Sequence, residues 1–105
     1  MSLPDALDRF ASFQAELHLR PAADGGRHRP VVPGYRPTAV LDGELHDVAI
    51  YFEGAEVAPG GSVVARVIPV RIDRWRALFV GERIEVREGT RTVGELVVAS
   101  IEGMP

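Results

Sequence analysis

The hydrophobic positions of this chain change their period several times, and each change marks an element. Leu3, Leu7 and Phe10 fall four and three residues apart, with Ser2 placed to cap and Pro4 in the first turn, which predicts a short helix over residues 4–10. From Phe13 the period drops to two. Phe13, Ala15, Leu17 and Leu19 alternate with Gln14, Glu16 and His18, the pattern of a strand with one buried face. Five more strands are predicted at 38–41, 44–52, 62–72, 84–87 and 92–101, separated by the turn formers Asp42-Gly43, Glu53-Gly54, Pro59-Gly60-Gly61 and Glu88-Gly89. Between the fourth and fifth, the spacing of Trp75, Leu78 and Phe79 predicts a helical turn or tight crossover laying an aromatic over an open end of the fold. Six short strands with almost no helix predict an all-β fold, a sandwich or a closed barrel. The six-stranded antiparallel closed barrel is preferred because closure leaves no strand edge exposed. Residues 1–12 form an N-terminal extension with the short helix, and residues 13–105 form the barrel.

Composition narrows the classes. A chain of 105 residues, 46 % hydrophobic and 26 % charged, suits one folded domain rather than a disordered segment. With no cysteine, neither disulfides nor thiolate metal sites contribute, which fits a reducing compartment such as the cytoplasm. No apolar run approaches the ~20 residues that cross a bilayer, and no leader pattern is present, so no membrane partner is expected. The net charge of −3 argues against broad nucleic-acid affinity and leaves a local basic patch open. All twelve basic residues are arginine, which reflects either recognition of planar anions or a compositional bias.

The stretch "GGRHRPVVPGYRP", residues 25–37, holds three glycines, three prolines and three arginines around one tyrosine. Together with the strand before it, "FQAELHLRPAADGGRHRPVVPGYRP" resembles the start of the C-terminal barrel, domain three, of bacterial elongation factor Tu. "PGGSV" at 59–63 and "REGTRTVG" at 87–94 resemble a later turn and hairpin of that barrel in the same order. The likeness runs over residues 13–101. It implies a six-stranded antiparallel barrel that carries no catalysis, packs against a GTPase domain, contacts the T-stem of aminoacyl-tRNA and takes part in binding elongation factor Ts. No G-x-x-x-x-G-K-[ST] phosphate loop occurs in this chain, so it is not expected to hydrolyse GTP.

By that resemblance, Gly25, Gly26, Arg27, Tyr35 and Arg36 match loops facing the GTPase domain, while Glu88 and Gly89 match a hairpin near the T-stem backbone. From the residues themselves, Arg29 joins the first group and Arg87 and Arg91 the second. Each group has two readings. The loop either presents its arginines to a protein partner or a phosphate backbone, or uses Arg27 and Arg36 to tie itself to the barrel through carboxylates and carbonyls. Tyr35 is either a packed ring with a satisfied hydroxyl or a stacking platform. In the hairpin, Arg87 and Arg91 either receive phosphate or pair with Glu85, Glu88 or Glu95 across the sheet. His18, His28 and His46 show no metal-ligand spacing and no nucleophile stands beside a base, so an enzyme, a cofactor and a small-molecule substrate are not expected. Thr90 in place of the family's second hairpin glycine, and the short connection at 42–47, favour a protein-interaction module docking on a GTPase or translation factor. The alternative is a translation-linked, RNA-binding module on tRNA.

Overall fold

The computed structural model describes residues 5–105. Six strands form, β1 (Phe13–Leu19), β2 (Thr38–Leu41), β3 (Glu44–Tyr51), β4 (Ser62–Pro69), β5 (Arg83–Glu88) and β6 (Arg91–Ser100). They close into an antiparallel barrel in the order β1-β4-β3-β2-β5-β6, with β6 pairing back onto β1. Every strand therefore has two neighbours and no edge is left to template aggregation. No helix is long and apolar enough to cross a membrane among the described residues.

The period-two alternation of β1 becomes a strictly alternating burial, with Phe13, Ala15, Leu17 and Leu19 inside and Gln14, Glu16 and His18 outside. Phe13 and Leu17 meet Ile50, Val67, Ile84 and Leu96 in one continuous core, each almost completely removed from water. Turn chemistry sets the register of the hairpins. Asp42 and Gly43 both take positive φ, 53° and 81°, the turn whose twist matches a two-residue β-hairpin. In the last hairpin Glu88 pairs opposite Arg91, so Gly89 and Thr90 are the turn residues, with Gly89 supplying the positive φ of 60°. A bulge just before this turn adds Val93 to β6, and its carbonyl accepts a bond from the Arg20 N–H at 2.8 Å.

Three expectations need correction. The helix expected over 4–10 is a single 3-10 turn, Asp5–Arg9; the capping and first-turn positions Ser2, Leu3 and Pro4 lie outside the described residues. Strand β4 ends at Pro69 rather than at Ile72: the Val70 N–H still donates to the Asp47 carbonyl of β3 at 3.0 Å, in register with the Val48–Pro69 pair, and the chain then leaves the sheet for the 3-10 turn Ile72–Arg74. In the β4–β5 connection Trp75 does pack over the barrel, its ring 5.7 Å from Phe13 and 5.5 Å from the buried His46, but Phe79 points into solvent and Leu78 is the second residue inside. The helical turn is the short 3-10 turn Ile72–Arg74, and it ends before the Trp75–Phe79 spacing that predicts one, with Trp75 already extended.

Candidate functional site

The long β1–β2 loop is built by its glycines before its side chains matter. A 3-10 turn, Ala22–Asp24, ends at Gly25 with φ 92°, and Gly26 passes so close to the chain that a Cβ there would lie 2.2 Å from the Arg20 carbonyl oxygen. The two glycines thus do different work, one through φ and one through close approach. Beyond them the loop is sewn to the barrel. Val31 and Val57 exchange two 2.9 Å bonds, and the Ile50 N–H donates to the Tyr35 carbonyl at 2.8 Å while Gly34 donates back to Ile50 at 2.9 Å.

This path brings the two candidate groups together at Glu88. The Arg27 guanidinium and the Tyr35 hydroxyl both donate to the same Glu88 carboxylate oxygen, across sequence separations of 61 and 53 residues. Arg27 also lies 5.1 Å from the Tyr35 ring centroid and donates to the Arg29 carbonyl at 3.1 Å. Loop and hairpin are thereby one structural unit, with a carboxylate at the centre of what the sequence presents as two basic sites. Burial alone would push the Glu88 carboxyl up, but donation from Tyr35 and Arg27, with Arg91 nearby, outweighs it and holds the group below its ordinary range. Burial and the facing Glu88 charge push the Tyr35 hydroxyl up, so it stays protonated as the donor.

Arg87 is also engaged. Its Nε donates to Glu85, which accepts a second bond from Thr92 Oγ1 at 2.7 Å, and these donors hold the Glu85 carboxyl down. Arg91 is exposed beside Glu88, and Arg29 projects from the loop into solvent.

Arg36 goes elsewhere. It is exposed, forms no ion pair with a described carboxylate, and stands at the rim of a groove on the outer face of β3 and β4. The loop thus separates its arginines: Arg27 ties it down and Arg29 and Arg36 are presented. Tyr35 is a packed ring with a satisfied hydroxyl.

Sequence reasoning did not find a second ionic cluster at the barrel end. Arg76 donates to both Asp42, at 2.8 Å, and the buried Glu82, at 2.6 Å, and Glu82 also accepts from the Phe79 N–H at 3.3 Å. These contacts raise Arg76 and lower Glu82, pinning the β4–β5 connection to the β2–β3 turn. No local motif signals it, since Asp42 and Arg76 are 34 residues apart. Among the described residues no group of His, Asp and Glu is arranged to hold a metal ion.

No protein-family model matches this chain.

Proposed function

We propose that this chain is a non-catalytic protein-interaction module that docks, in the cytoplasm, on a GTPase or another translation component through the loop side of its barrel. The observation that carries this reading is the placement of carboxylates. Glu88 and Glu85 occupy the Arg27 and Arg87 guanidinium groups that a phosphate backbone would need, and they put negative charge where phosphate would approach. A loop held by two β-bridges and the Glu88 clasp offers Arg29, Val32 and Arg36 with little conformational entropy left to lose. The resemblance to the C-terminal barrel of elongation factor Tu supports a GTPase as the partner. A second reading, RNA binding on the tRNA backbone, draws on Arg29 and Arg91, which are exposed.

Calorimetric titration separates the two. The probes are a fragment of elongation factor Tu carrying its GTPase and middle domains, and unfractionated tRNA at two salt concentrations. The expected result is binding of the fragment that weakens in Arg29→Ala and Arg36→Ala, with no tRNA binding at ~0.15 M salt. Binding of tRNA with a steep salt dependence that diminishes in Arg91→Ala overturns the protein-docking reading.

A further inference from the structure

The outer face of a small barrel meets water, yet on β3 and β4 two residues that point outward are apolar and buried. Ala49 and Ile68 pair across the strands, while their neighbours Val48, Ile50 and Val67 face the main core. What covers them is the N-terminal 3-10 turn. Leu7 packs on this pair with Tyr51 beside it, and Arg66 of β4 fixes the turn by donating to Asp8 at 2.7 Å. Among the described residues the cover is incomplete. A groove of about 180 Å³ remains, with Phe10 and Val70 at its lip, 58 % and 48 % exposed. A cavity of roughly 150 Å³ with aliphatic walls accepts a benzene-sized ring. The charge at the groove is one-sided: among the described residues Arg36 is the only charged one that lines it. The backbone that carries Arg36 is anchored, because the preceding Tyr35 is bridged to Ile50 of β3.

An apolar slot for a single side chain beside one presented guanidinium matches one kind of occupant. We infer that this groove receives an acidic hydrophobic segment of a protein partner, one aromatic or aliphatic side chain entering between Phe10, Ile68 and Val70 while an adjacent carboxylate meets Arg36. The inference rests on the docking reading above and locates its anchor, with Arg29 outside it. The complementarity follows from the planar fork of Arg36, which suits a carboxylate, and from a slot whose described walls are otherwise uncharged.

The test uses the whole chain, labelled with nitrogen-15, titrated with N-acetylphenylalanine and with its neutral counterpart N-acetylphenylalaninamide. Both compounds are expected to shift the amides of Ala49, Ile68 and Val70, with the acid binding about three- to fivefold tighter. Arg36→Gln, an exposed change that leaves the barrel intact, is expected to make the two equal. Shifts confined to other surfaces, no shift at all, or equal affinity of acid and amide for the unaltered chain each overturn the inference. The elongation factor fragment supplies the separate control. Fragment binding with an indifferent groove removes this inference alone, whereas a groove that binds the acid in a chain that ignores the fragment removes the choice of partner.

Discussion

At the scale of single residues, Glu88 decides most. It gathers a guanidinium, a phenol and the nearby Arg91 charge at one carboxylate, and this makes the loop sensitive to pH from both ends. The folded carboxyl titrates below its unfolded value of ~4.3, so its contribution is complete above that pH and is lost as the pH falls through the folded value. In that window the unfolded chain binds more protons, and stability rises with pH. Tyr35 works in the opposite sense: its folded value lies above the unfolded ~10, and its contribution is lost as the pH rises beyond that. Urea unfolding across pH, read by the fluorescence of the single tryptophan Trp75, is expected to show a shallower acid slope in Glu88→Gln and a shallower alkaline slope in Tyr35→Phe. An unchanged acid slope in Glu88→Gln would place the sensitivity in Glu82, Glu85, Asp42 and Asp73, whose carboxyls are also held down by arginine.

Among the elements, the β2–β3 hairpin shows what a turn contributes apart from packing. Gly43 has φ 81° and no heavy atom within 4 Å of where a Cβ would sit, so Gly43→Ala meets strain in the backbone and no clash. It is expected to cost about 1 kcal/mol, the left-handed penalty for an L-residue, in equilibrium denaturation. A much larger loss would mean that the turn also governs how Arg76 reaches Asp42. The strands themselves were legible because alternation is a local property. Phe13 to Leu19 reads as one buried face in the sequence and is one in the barrel. The end of β4 was not legible, since Val70 is as apolar as the residues before it and the strand stops where pairing with β3 runs out after Val48–Pro69, a limit set by the partner strand and not by the local pattern.

For the whole molecule, the closing seam between β1 and β6 is the feature on which the barrel depends. Gly94 sits opposite Leu19 there, and a Cβ would fall 2.4 Å from the His18 carbonyl oxygen. The three nearest atoms all belong to the β1 backbone at His18 and Leu19, which cannot yield as a flexible side chain would. Gly94→Ala is therefore expected to destabilise by about 2–4 kcal/mol and to speed amide exchange at Leu17 and Leu96, on the two strands it separates. A loss no larger than that of Gly43→Ala would show that the seam opens locally without cost to the rest.

The sequence by itself determined that this chain is all-β with six strands, where its hairpins turn, and that its loops are built on glycine and proline. Those features follow from side-chain period and from φ, which neighbouring residues set. Tertiary structure alone decided which arginines are spent and which are presented. Arg27 and Arg36 stand in one loop and look equivalent, yet Glu88, 61 residues from Arg27, claims only the first. The slot on the outer face likewise exists only after Leu7 folds back on Ala49 and Ile68. The physical reason is common to both: an ion pair or a groove needs groups brought together by barrel register, and nothing in the local pattern around either partner encodes that meeting.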